Sequence, residues 1–216
     1  MAFLKFNKEE LVNRSYSLKR EIILANRTGA YCNTSIVSCN TRRYHGLLAV
    51  PVDGFGGGTH MLLSSLDESI NIAGHQFNLG IHNYDNVYEP RGHKYIVDFN
   101  ADVAPTITYK VGDVLISKTF IMSQDTDQVM IKYQVLESPS KILFTLKPFL
   151  AFRSVNALTK KNADVDTRCH QVDGGVSFRM YAGYPDLNMQ LSCDAPFKYQ
   201  PYWYDGITYS DEYRRG

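Results

Sequence analysis

The densest run of reactive side chains is at residues 40–48, NTRRYHGLL, where Arg42, Arg43, Tyr44 and His45 stand together ahead of an apolar stretch. A guanidinium offers five donors in a planar fork that fits carboxylates, phosphates or hydroxyl oxygens. Such a cluster can serve as a ligand-facing rim, a buried network or a basic patch for an anionic partner. At least one arginine must find a counter-charge at the sheet edge, because an unpaired buried guanidinium is too costly. Glu21 and Asp67 are the candidate partners. Read as a strand starting near Arg43, the segment sends Arg42, Tyr44, Leu48 and Val50 to one face and Arg43, His45, Leu47 and Ala49 to the other. Gly46 then allows a bulge or a close backbone approach. His45 is expected to be half-buried, with a backbone carbonyl as its partner.

A second cluster is aromatic. YQPYWYDG at 199–206 groups Tyr199, Tyr202, Trp203 and Tyr204. Planar rings can stack on the C–H face of a pyranose while their polar edges bond its hydroxyls, or they can dock against another domain. Both uses predict exposed rings. The acidic pairs Asp67/Glu68 and Asp211/Glu212 are adjacent in sequence, so on strands their members point to opposite faces. Asp67 and Glu68 are expected in a hairpin turn or in salt bridges. His60, His75, His82 and His93 are scattered, no nucleophilic triad spacing is present, and metal ligation is not expected. GFGGGTH at 54–60 lacks the Lys-Ser/Thr ending and the following helix of a phosphate loop, so it reads as a flexible connection and no cofactor is expected.

The elements that must hold these residues are strands. INIAGHQFNL has alternating apolar positions around an Ala73-Gly74 turn, which predicts a hairpin. TITYKV, VLISKTFIM, QVMIKYQVL and ILFTLKPFL follow one another with turns at Gly112-Asp113, SQDTD and ESPSK, the pattern of an antiparallel meander. Val129, Ile131, Tyr133 and Val135 share one face, and Met130, Lys132 and Gln134 the other. Val176, Phe178 and Met180 alternate, as do Leu187, Met189, Leu191 and Cys193. Helical periodicity is confined to residues 7–13, with Asn7 as the N-cap. The expectation is one all-β domain over residues 1–216, two sheets packed around a Val/Ile/Leu/Phe core.

Composition narrows the function. Lys plus Arg number 23 against 22 Asp plus Glu, a net charge of +1, so nucleic acid and anionic membranes have no global electrostatic support. No run of about 18 apolar residues is long enough to span a bilayer. The four cysteines form no C-x-x-C pair, and the N-terminus lacks a signal-peptide core. The chain therefore reads as cytoplasmic with reduced thiols.

Residues 21–50, EIILANRTGAYCNTSIVSCNTRRYHGLLAV, resemble the opening of the N-terminal domain of bacterial and archaeal glycogen debranching enzymes, the amylo-α-1,6-glucosidase family. Asn40 to Leu48 match that family's NTRRYHGLL strand throughout. The preceding glycine-rich turn keeps Asn26, Gly29 and Tyr31 but has Ala30 where the family usually has glycine. LLSSLDESI, SKTFIM, DQVMIKYQV, LKPFLAFRSVNALTKKN and YWYDGITYSDEYRRG resemble later segments, with Val155 and Asn156 where the family more often has a histidine.

The resemblance implies a large antiparallel β-supersandwich of the galactose-mutarotase kind with few or no helices. It implies an (α/α)-toroid catalytic domain following in the same polypeptide, which hydrolyses α-1,6 branch points of a branched α-glucan. Glycoside hydrolysis needs two carboxyl groups flanking the scissile bond. By the resemblance these belong to the toroid, so no catalytic residue is expected here and the fragment alone is expected to be inactive. Arg42, Arg43, Tyr44, His45, Tyr202, Trp203 and Tyr204 are the candidate substrate-binding or domain-interface residues. A stand-alone carbohydrate-binding β-sandwich is the alternative.

Overall fold

A computed structural model of the chain describes residues 4–215. In chain order the elements are β1 (Lys5–Asn7), α1 (Lys8–Val12), α2 (Arg14–Ser17), β2 (Glu21–Ala25), β3 (Tyr31–Ser35), β4 (Gly46–Val52), β5 (Gly58–Ile72), β6 (His75–Asn78), β7 (His82–Tyr84) and β8 (Val87–Glu89). There follow β9 (Ile96–Asn100), β10 (Thr106–Val111), β11 (Val114–Met122), β12 (Val129–Glu137), β13 (Ile142–Ser154), β14 (Cys169–Val172), β15 (Gly175–Phe178), β16 (Leu187–Gln190) and α3 (Ser210–Tyr213).

Strands dominate, as the alternation predicts. One sheet has the order β1-β9-β10-β11-β12 and the other β13-β5-β4-β3-β2, with β6 also paired to β5. A three-stranded sheet β14-β15-β16 and the hairpin β7–β8 lie outside these two. The long strand β5 organises its layer. One edge carries β4 and then β6, and the other carries β13 along most of its length. The β5–β6 turn has Ala73 at φ 51 and Gly74 at φ 87, the left-handed pair a two-residue hairpin needs, and Asn71 Oδ1 accepts the Gly74 N–H.

A continuous core fills the space between the two large sheets. Ile107, Tyr109, Ile116 and Phe120 from one layer and Leu48, Leu66 and Ile70 from the other are all buried. Each such side chain contributes roughly 1.5–3 kcal/mol by leaving water.

Three expectations change in detail. The turn at ESPSK does not continue the meander. Residues 138–141 carry the chain across the sandwich, so β12 ends one sheet and β13 edges the other. A turn signal marks where the chain reverses, not which layer receives it. Here the inward apolar side of β13 packs across the gap, with Phe144 against Tyr133 at 4.8 Å between ring centroids. Pro148 is tolerated in β13 because that strand is an edge. Secondly, Val135 is 50% exposed, whereas Val129, Ile131 and Tyr133 pack on the core.

Thirdly, β16 stops at Gln190, so Leu191 and Cys193 are exposed and not part of a strand. GFGGGTH connects β4 to β5, as expected. A single 3-10 turn, Asp53–Phe55, leads through left-handed Gly56 and Gly57 directly into β5. The helix at residues 8–12 is present as expected. Asn7 accepts the Glu10 N–H at 3.1 Å and Glu10 returns a bond from the Asn7 N–H at 3.0 Å. The short helices α2 and α3 have too few turns to show a periodicity.

Candidate functional site

Arg42 and Arg43 do not begin a strand. The His45 N–H donates to the Arg42 carbonyl at 3.0 Å, closing a turn, and β4 starts only at Gly46. The two-face alternation expected for Arg42 to His45 therefore does not apply. Gly46 does make a close approach: a Cβ there would fall 1.8 Å from the Met61 sulfur, which packs under the turn with no exposure.

The turn's charges are taken up within the chain. Arg42 Nε lies 2.9 Å from Glu21 Oε1 and 3.6 Å from Asp211 Oδ2, and Arg43 Nε lies 3.8 Å from Glu212. These contacts are charge pairs, not aligned hydrogen bonds. The Thr41 hydroxyl donates to Asp211 Oδ2 at 2.9 Å, and the Asp211 N–H donates to the Thr41 carbonyl at 2.9 Å. Of the two partners expected for the arginines, Glu21 is found. Asp67 is not, because it sits on a different part of β5.

His45 is fully buried, and its Nδ1 accepts the Thr41 N–H at 3.1 Å instead of donating to a carbonyl. A ring nitrogen that accepts carries no proton, so in the neutral ring Nε2 holds it, 3.4 Å from Glu21. Burial holds His45 below the usual imidazole range, against the pull of Glu21.

Arg153 completes the arrangement and was not singled out from sequence. It is 6% exposed, and its guanidinium donates to the carbonyls of Arg43 (2.8 Å), Ser154 (3.1 Å) and Ala157 (2.9 Å). Its only signal in the sequence is a charge set in the apolar run of β13. Tyr31 donates to the Tyr44 carbonyl at 3.0 Å, and burial pushes its hydroxyl up to about 12.

The acidic pairs divide as adjacent strand residues should. Asp67 and Glu68 lie mid-strand in β5, not in a turn. Asp67 turns outward, and both its oxygens meet His82 Nε2, at 2.8 and 2.9 Å. Glu68 turns into the core, where Lys118 Nζ lies at 2.6 Å and the Tyr133 hydroxyl donates at 2.5 Å. Glu68 and Lys118 are 2% and 1% exposed, so each needs the other. Burial, reinforced by Glu68, pushes Tyr133 well above the usual phenol range. Asp211 and Glu212 lie on α3 and serve the arginine turn, and Asp211 also pairs with Arg214.

The aromatic cluster sits elsewhere on the same layer. Tyr204 packs on Phe149 of β13 at 4.3 Å, and Phe149 stacks on His82 at 4.9 Å. Tyr202 lies beside Tyr204 at 5.1 Å with a 32° tilt, and their hydroxyls are 3.0 Å apart. Lys147 donates to the Tyr204 hydroxyl at 3.1 Å, and this bond raises the lysine above its usual range. The Tyr204 bond, with Lys147 close by, lowers Tyr202. Burial and the bond to Tyr202 raise Tyr204. Tyr202 is 54% exposed, Tyr204 is 36% exposed and Trp203 is half-buried.

An open cleft of about 3340 Å³ lies along β12, β13 and residues 191–207. Lys147, Arg153, Tyr202, Trp203 and Tyr204 border it, whereas Arg42, Arg43, Tyr44 and His45 do not. Among the described residues, no group of three His, Cys, Asp or Glu side chains could hold a metal ion. No helix among them is long and apolar enough to cross a membrane.

In comparison with known families, the family model described as glycogen debranching enzyme N terminal matches residues 20–216. No curated protein and no solved structure matches the chain.

Proposed function

The chain belongs to the family of glycogen debranching enzyme N-terminal domains, and from that premise we propose that it is the non-catalytic β-sandwich of such an enzyme, supporting a catalytic partner domain and contacting the branched α-glucan. The observation that carries the non-catalytic part is how the carboxylates are used. Asp67 is engaged by His82, Glu68 by Lys118 and Tyr133, Glu212 by Arg43, and Glu21 and Asp211 by the Arg42 that stands between them. Cleavage of a glycosidic bond needs two carboxyl groups free to face the sugar, one of them protonated. The carboxylates of the two acidic pairs, held by arginine, lysine and histidine, are poorly suited to that task, and in this reading the acid and base belong to the partner domain.

In this reading Arg42, Arg43 and His45 are positioning residues. They fix residues 207–213 against the sandwich and so present a rigid surface to the partner. The direct sugar contact falls to the tyrosines at 202 and 204. The stand-alone carbohydrate-binding reading draws on those same exposed rings, and it differs in needing no partner domain.

The test uses the chain and the whole enzyme side by side. The purified chain is expected to release no glucose from a branched α-glucan. The whole enzyme is expected to do so, with activity falling when Arg42→Ala loosens the segment at 207–213. Glucose release by the chain alone would overturn the reading, and so would full activity of the Arg42→Ala enzyme.

A further inference from the structure

Four rings pack in succession on the outer face of the β5–β13 layer. His82 stacks on Phe149, Tyr204 packs at a tilt on Phe149, and Tyr202 overlaps Tyr204 at a tilt. One end of this row is fixed by the two-oxygen contact of Asp67 with His82. Since His82 and Phe149 are held by packing and by a charged hydrogen bond, the tyrosine pair is held in place without a ligand.

The polar edge of that pair is unusual. Lys147 stands opposite Asp67 in the strand register, yet Asp67 gives both oxygens to His82. Lys147 therefore pairs with no carboxylate among the described residues and instead donates to Tyr204. The Tyr202 and Tyr204 hydroxyls share one further bond at 3.0 Å, in which either oxygen can donate. Whichever does, one phenol O–H and the remaining N–H of Lys147 are left to donate outward. An apolar protein surface would leave an ammonium and a phenol unsatisfied. A pyranose meets both needs, with C–H groups for the ring faces and hydroxyl oxygens for the donors.

We propose that the exposed ring of Tyr202, backed by Tyr204 and edged by Lys147, forms a stacking subsite for a glucose ring of an α-linked glucan chain. This deepens the glucan contact given above and rests on that reading. The preference for an α-linked chain comes from that reading.

The experiment titrates the chain with maltohexaose and with cellohexaose, by calorimetry and by the fluorescence of Trp203, the single tryptophan. Maltohexaose is expected to bind and to change the Trp203 emission, and cellohexaose to bind far more weakly. Tyr202→Ala is expected to weaken maltohexaose binding about tenfold, and Lys147→Met a few-fold, with unchanged melting temperatures. Tyr213→Ala, an exposed ring away from the row, is expected to have no effect.

Maltohexaose binding that Tyr202→Ala leaves intact would overturn the subsite but not the glucan contact. No binding by the unaltered chain would overturn both, leaving the support role to the activity test. Equal affinity for cellohexaose would overturn the α-linkage preference. If Tyr202→Ala lowered the activity of the whole enzyme without changing maltohexaose affinity, the rings would be a domain contact and the subsite would be lost.

Discussion

Thr41 and Asp211 hold each other twice, hydroxyl to carboxylate and amide to carbonyl, although 170 residues separate them. The pair fastens the arginine turn to α3. Asp211→Ala removes one of these bonds and one counter-charge of Arg42, and the expected loss is about 1–2 kcal/mol. Its sharper effect is local. Residues 207–213 should open to protease while the sandwich stays folded, and mass spectrometry of the fragments would show this. A digestion pattern identical to that of the unaltered chain would mean the latch does not hold the segment.

The ion pair between Glu68 and Lys118 crosses the core from one sheet to the other. Lys118→Met leaves a buried carboxylate with only Tyr133 as its donor, and the expected cost is roughly 3–5 kcal/mol. Replacing both residues by Lys118→Met with Glu68→Leu should recover most of that loss, because no charge then remains to be solvated. Urea denaturation of the single and double variants decides the matter. A double variant as weak as the single one would show that shape, not charge, is what the pair supplies.

Stability should fall on acidification. Burial holds His45, His60 and His93 below the usual range, with Arg14, Lys94 and Arg91 adding to the effect at His93. In the unfolded chain these rings take up protons near pH 6.5. Below that pH the unfolded state binds more protons than the folded one, so their contribution is complete above about pH 6.5 and is lost as pH falls through the lower folded values. Melting temperatures are expected to be level above about pH 7 and to drop towards about pH 5. His45→Asn should flatten the drop, and an unaltered slope would remove His45 from the account.

The thiols should separate into two classes. Burial pushes Cys32 and Cys39 up to about 12, so neither supplies thiolate at neutral pH. Cys193 is exposed and Cys169 half-buried. Alkylation of the folded chain should label Cys193 first and Cys169 more slowly, with Cys32 and Cys39 reacting only after denaturation. Early labelling of Cys32 would show that the β2–β3–β4 layer opens readily.

Much of the layer architecture was legible because a half-buried strand writes its face into every second residue. The Gly112 turn, the Ala73-Gly74 hairpin and the Asn7 cap were readable for the same local reason. Opposite faces for Asp67 and Glu68 followed from the strand period alone. What sequence could not give was pairing at a distance. The crossing at residues 138–141 looks like any other polar turn. The meeting of Arg42 with Asp211, and of Arg153 with the Arg43 carbonyl, depends on segments far apart in the chain. Trp203 drew attention as the one tryptophan, yet exposure, which alternation does not report outside strands, selects Tyr202 and Tyr204.

Sending β12 and β13 to different layers also shapes how copies of the chain behave in company. Each strand has a neighbour on one side only, so among the described residues one flank carries two unzipped rims, nine and thirteen residues long. Amide groups spare on such rims will ladder with any extended peptide that reaches them. Lys132 and Pro148 are the guards there, one by charge and one by lacking an N–H. That flank, more than the arginine turn, is where the fold leaves backbone groups without a strand partner.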